Sequence, residues 1–254
     1  MTTLATPVSA PASAPVRVPV RRLLELLLVR LVLFALFQSV IALALWAGGT
    51  PDAWAASAAW WPLTASAANL VNIGMLAFYL RLDGSSLRAL YTPRRATLGR
   101  DLLVALLTVV LAVPLSVAPN IGLATVLFGD AEIALSMLVQ PLPMWAAILG
   151  VILFPLTTAL AELPIYYGYV QPRLAALTSS KWVIIGVPAL FHAIQHATLP
   201  LLFDPAFMLW RGLMFLPFAL LLSIMLRWRP SILPYLLIVH FALDMQMAVL
   251  VLQA

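Results

Sequence analysis

The chain has 254 residues, of which 64% belong to the hydrophobic set and 9% are charged, against about 45–50% and 25% in an ordinary soluble domain. With a mean hydropathy of +1.06 and several apolar runs of about 20 residues, this excludes a soluble globular enzyme and leaves no room for a separate soluble domain. The net charge of +5 would suggest a nucleic-acid partner in a soluble protein, but the thirteen Arg and one Lys sit mostly in short loops, which is a topology signal and implies no nucleic acid.

The chain contains no cysteine, so disulfides, thiolate metal ligands and a cysteine nucleophile are excluded. Residues 1–16, MTTLATPVSAPASAPV, are uncharged and rich in Ala, Pro, Ser and Thr, the composition of a disordered tail. They lack the basic and then apolar regions of a cleaved signal peptide. Residues 17–254 read as one integral membrane domain. The first span follows Arg17, Arg21 and Arg22 and ends near Trp46; that basic cluster predicts a cytoplasmic N-terminus. The second, residues 53–80, leads into a basic loop carrying Arg81, Arg88, Arg94, Arg95 and Arg100. The third, 102–117, emerges at Pro119 and Asn120.

From 137 to 170 the chain is apolar but interrupted by Pro141, Pro143, Pro155 and Pro164, which predicts a kinked long helix or a half-helix followed by a crossing. Three further spans, 183–202, 207–226 and 232–252, complete an all-α polytopic transmembrane bundle of seven to eight helices in the cell membrane. Trp46, Trp54, Trp60, Trp61, Trp182 and Trp228 fall near span ends, where they read as interfacial anchors.

A charged side chain at the bilayer centre costs about 2.5–3.5 kcal/mol on insertion scales, so ionisable residues left inside spans carry the functional signal. They are Glu25, Arg30, Glu162, His192, His196, Arg211, His240 and Asp244, and they include every histidine of the chain. Glu25 and Arg30 read as an interfacial carboxylate and an arginine that snorkels or meets a buried partner. His192 and His196 are four residues apart, as are His240 and Asp244, so each pair shares one helical face; Glu162 comes from a third helix. Such a set can bind a divalent metal such as zinc or activate a water directly. Ala193 stands where H-E-x-x-H requires glutamate, and neither G-x-S-x-G nor a phosphate-binding G-x-x-x-x-G-K-[ST] occurs.

The run AELPIYYGYVQPRL, residues 161–174, resembles the first motif of the CPBP family, the Abi-type intramembrane proteases that include the type II CAAX prenyl endopeptidases. Aligned on Gly168 and on Gln171-Pro172-Arg173-Leu174, the family's E-E-x-x-x-R places Glu162 at the first glutamate, Leu163 at the second and Tyr167 at the arginine. The family's F-x-x-x-H resembles the stretch from His192 to His196, with His192 where Phe is usual, and its H-x-x-x-N/D resembles His240 to Asp244. The three motifs keep the family's order within residues 135–252.

The resemblance implies an intramembrane endopeptidase acting on a membrane-associated protein or peptide. Glu162 and His196 would activate a water for attack on a peptide carbonyl, and His240 with Asp244 would position or stabilise the oxyanion. Tyr167 would replace part of the arginine's role as a phenol donor to Glu162 or substrate. His192 would be a partner of His196 or a third nitrogen ligand. In a metal-dependent version His196, His240, Asp244 and His192 would hold zinc; the metal-free version, which the resemblance favours, needs no cofactor. The altered first motif also motivates a non-catalytic reading, a pseudoprotease, immunity or scaffold factor on the same fold. A third class, behind both of these, is a small transporter or proton-coupled channel that uses the buried Glu, His and Asp as a relay.

Overall fold

The computed structural model describes residues 18–254; the expected tail, residues 1–16, lies outside the described residues. Among the described residues all regular structure is helical. Helix α1 (Val20–Ala47) is followed by the short α2 (Ala53–Ala58), then α3 (Trp61–Leu82), α4 (Leu87–Tyr91), α5 (Leu98–Phe128) and α6 (Ala131–Leu138). Helix α7 (Met144–Leu163) passes through a π-helical segment (Pro164–Val170) into α8 (Gln171–Leu177). Helix α9 (Lys181–Ile194) ends in a 3-10 turn (Gln195–Thr198) and precedes α10 (Pro205–Leu213), α11 (Leu216–Trp228) and α12 (Leu233–Gln253). Helix α7 runs through the centre, packed between α3 and α12, with α9 against α11 and α1 against α3.

Six helical runs are long and apolar enough to cross a membrane: Val20–Ala47, Trp61–Leu82, Leu87–Phe128, Met144–Leu177, Pro205–Trp228 and Pro230–Gln253. This is the architecture of a multi-pass membrane protein, with six such helices in place of the expected seven to eight. The shortfall is the expected span 183–202. Its helix, α9, has 14 residues, a rise of about 21 Å against a hydrocarbon core of about 30 Å. The rest of the stretch is a 3-10 turn and extended chain, which apolar composition does not distinguish from helix. Phe203, just beyond it, stacks on Trp54 at a centroid distance of 5.2 Å.

Non-helical backbone at membrane depth needs protein partners for its polar groups. Gln38 of α1 provides them, donating Nε2 to the Leu201 carbonyl at 2.9 Å and accepting from the Leu201 N–H at 2.7 Å. The third span also differs from expectation: Pro114 and Pro119 lie inside α5, which continues to Phe128. The fourth region takes the long-helix form, while residues 137 and 138 belong to α6. Pro164 cannot donate to the carbonyl four residues back; the Tyr91 hydroxyl donates to that carbonyl, Leu160 O, at 2.7 Å. Pro188 within α9 frees the Ile184 carbonyl in the same way, and the Gln171 side chain lies 3.4 Å from it as donor.

The two ends of the bundle differ in chemistry. At one end, Asp83 bridges Arg22 at 3.1 Å and Arg173 at 2.5 Å, and Asp101 pairs with Arg229 and Ser231 at 2.5 and 2.8 Å. Glu25 joins this end through Arg21 at 2.6 Å and through the Tyr79 hydroxyl. At the other end the ring of Trp60 lies against Trp145 at 5.6 Å. Trp46, Trp182 and Trp228 are exposed as anchors should be, but Trp61 is buried and donates its indole N–H to Leu138 O at 3.0 Å.

Asp83 is nearly inaccessible and ties α1 to α8, so replacing it by Asn leaves two arginines without their shared carboxylate. The Asp83→Asn chain is expected to lose about 3 kcal/mol of stability, read as earlier unfolding of the detergent-solubilised protein.

Candidate active site

Glu162 occupies the last turn of α7, on the wall of a cavity of about 450 Å³ lined by residues of α1, α3, α5, α6, α7, α9, α10, α11 and α12. Both carboxylate oxygens are engaged. Oε2 accepts from Arg30 Nη2 of α1 at 2.9 Å and from Gln195 Nε2 at 2.8 Å. Oε1 faces His192 Nε2 at 2.8 Å and His240 Nε2 at 3.4 Å. The same His240 nitrogen lies 3.2 Å from Asp244 Oδ2, one helical turn on. Arg30, Glu162, His192 and Gln195 are all buried, and the Glu162 charge is offset by direct contact with Arg30.

Proton positions follow from the partners. Tyr167 donates its one hydroxyl proton to Ala219 O at 2.9 Å, and its oxygen lies 2.7 Å from His192 Nδ1; with that proton so placed, Nδ1 is the donor between them. The His192–Glu162 contact on the opposite side of the ring then also holds a proton, on either the imidazole or the carboxyl. The ring is further fixed by stacking on Tyr166 at 5.5 Å and 12°. Tyr166 in turn donates its hydroxyl to Gln195 Oε1 at 2.9 Å, which leaves Gln195 Nε2 to serve Glu162.

His196 stands apart. Its Nδ1 lies 3.1 Å from the Ala193 carbonyl. A carbonyl only accepts, so Nδ1 carries a proton, and whenever the ring is neutral Nε2 holds the unshared pair. The ring packs on Phe215 at 4.3 Å and lines the cavity.

Of the sequence-predicted residues, Glu162, His192, His240 and Asp244 come together, and His196 shares their cavity without touching Glu162. His192 bonds Glu162 directly, with its ring 6.0 Å from that of His196. Tyr167 reaches His192 and the Ala219 carbonyl where a donor to Glu162 was expected. Of the four suggested zinc ligands, His192 has both ring nitrogens engaged within the cluster, while His196 keeps Nε2 unengaged. Among the described residues no group of three or more His, Asp or Glu side chains is disposed to hold a metal ion.

Two members of the site had no assigned role. Arg30 meets a buried partner, and that partner is Glu162 itself. Gln195 lies between the two histidines, a neutral amide inside an apolar run, which is the signal that would have found it. Comparison with protein-family models, with curated proteins and with solved structures finds no match for this chain.

Arg30→Met would strand a buried carboxylate and is expected to cost about 3–5 kcal/mol of stability. Adding Glu162→Gln should restore much of that loss, so the double variant unfolds later than the sum of the single effects requires. Unfolding of the four chains in one detergent provides the check.

Proposed function

We propose that this chain is an intramembrane endopeptidase of the CPBP type, cutting a membrane-associated protein or peptide in the cell membrane, with its N-terminus on the cytoplasmic side. One observation carries the reading: three chain stretches that resemble the three CPBP motifs converge on Glu162, on the wall of a cavity of a size that holds small ligands. Within the bundle, such a cavity lets a water be activated away from bulk solvent.

In this reading the water lies between His196 Nε2 and Glu162 Oε1, the oxygen whose His240 contact is the longest in the cluster at 3.4 Å. His196 takes one water proton as the oxygen attacks the substrate carbonyl carbon. Glu162 orients the water and offsets the charge of the imidazolium. The His240 Nε2–H, held beside Asp244, turns toward the oxyanion of the tetrahedral intermediate. His196 then returns the proton to the leaving nitrogen as the carbon–nitrogen bond breaks, giving a carboxylic acid and an amine. Arg30, Gln195, Tyr166 and Tyr167 position Glu162 and His192.

A second reading, a non-catalytic membrane protein on the same architecture, draws support from one feature. Arg30, Gln195 and His192 already occupy Glu162 at 2.8–2.9 Å, as they would around a purely structural carboxylate.

The N-termini of membrane proteins in cells expressing the native chain, Glu162→Gln or His196→Ala at matched levels separate the two. Cleavage predicts a new N-terminus that is present with the native chain and reduced at least a hundredfold with either variant. Identical profiles, together with a phenotype that survives Glu162→Gln, would leave the non-catalytic reading standing.

A further inference from the structure

Two arginines are buried within the apolar bundle, and they are treated differently. Arg30 has the carboxylate that such a cation needs. Arg211 of α10 is 4% exposed, yet no ion pair among the described residues includes it. Its Nη2 donates to Leu199 O at 3.0 Å, and its Nε has no partner. The rings of Trp210 and Phe215 lie 5.7 and 5.8 Å from the guanidinium carbon. Trp210 is itself fixed, donating its indole N–H to Asn120 at 3.0 Å.

Arg211 lines the same cavity as Glu162, Glu132 and Asp244, and the wall formed by α5 and α12 is mostly apolar, with Thr108, Ser116, Asn120, His240 and Asp244 as its polar members. Val113, Val117 and Ile121 of α5 and Leu243 of α12 line that wall and are about half exposed. The cavity therefore opens sideways, between two helices whose outer faces suit lipid. A buried cationic group that makes no ion pair at one point and a largely apolar strip toward the bilayer at another define a complementary ligand: an anion carried on a hydrocarbon chain.

We propose that Arg211 anchors the anionic head, carboxylate or phosphate, of a single-chain amphiphile that enters between α5 and α12 and lays its chain along them. This site stands whether or not the chain is a peptidase, because Arg211 has no part in the cleavage chemistry above.

The test uses the full chain in nanodiscs of zwitterionic lipid, with equilibrium binding of hexadecanoate, hexadecyl phosphate and hexadecanol. A charged hydrogen bond gained only by the anions predicts that at least one binds roughly tenfold or more tighter than the alcohol. A preference for hexadecanoate or for hexadecyl phosphate identifies the head group, and either supports the site. Arg211→Gln should lower the preferred anion to the level of hexadecanol, and Arg211→Lys should retain part of the difference. Equal binding of all three probes by the native chain overturns the proposal without any variant. So does an anion preference that persists in folded Arg211→Gln, or displacement of the amphiphile by inorganic phosphate or acetate at the same concentration.

Discussion

A carboxylate in the interior of an apolar bundle is tolerated only when donors surround it, and no single helix can supply them all. Around Glu162 they arrive from α1 through Arg30, from α9 through His192, from the following turn through Gln195, and from α12 through His240. The carboxylate thus fixes the relative rotation of four chain segments as well as their proximity. Turning α1 by one residue would carry Arg30 off Glu162, and lengthening α9 by a turn would carry Gln195 away from it. The arrangement of the bundle and the arrangement of the site are one set of contacts.

The same requirement governs the backbone. Each break in a helix near the site comes with a side chain that takes the released carbonyl or amide: Tyr91 for Leu160, Gln171 for Ile184, Gln38 for both polar groups of Leu201. Two of these partners lie 69 and 163 residues away, so those breaks are features that the tertiary structure holds open. The early end of α9 is what sets His196 on a 3-10 turn, where its Nδ1 meets the Ala193 carbonyl and its ring lines the cavity. The π-helical segment after Glu162 likewise lets two consecutive tyrosines both reach inward partners.

Much of this was legible in the sequence because a membrane imposes a coarse code. Apolar runs gave the long helices, basic loops gave the arginine-rich end, and ionisable residues within spans pointed to Glu162, His192, His240 and Asp244. Helix ends were less legible, since Pro119 on α5 reads like a terminus and residues 195–202 read like helix; in both cases neighbouring elements decide. The Arg30–Glu162 contact spans 132 residues, beyond the reach of local spacing. Gln195 was passed over because it bears no charge, although its amide is one of the closest donors to the carboxylate.

That separation also bears on how the protein is made. Helix α1 enters the membrane with Arg30 well inside it, and the residue that neutralises it has not yet been synthesised. At 5–20 residues per second, the intervening 132 residues take roughly 7–26 s. Throughout that interval the first helix carries an unmatched cation among lipids or insertion factors, so nascent chains that stall before residue 162 end with an incompletely neutralised helix. The last-made donor of the cluster, His240, lies on α12, so the interior of the bundle reaches electrical balance only once that helix has been made.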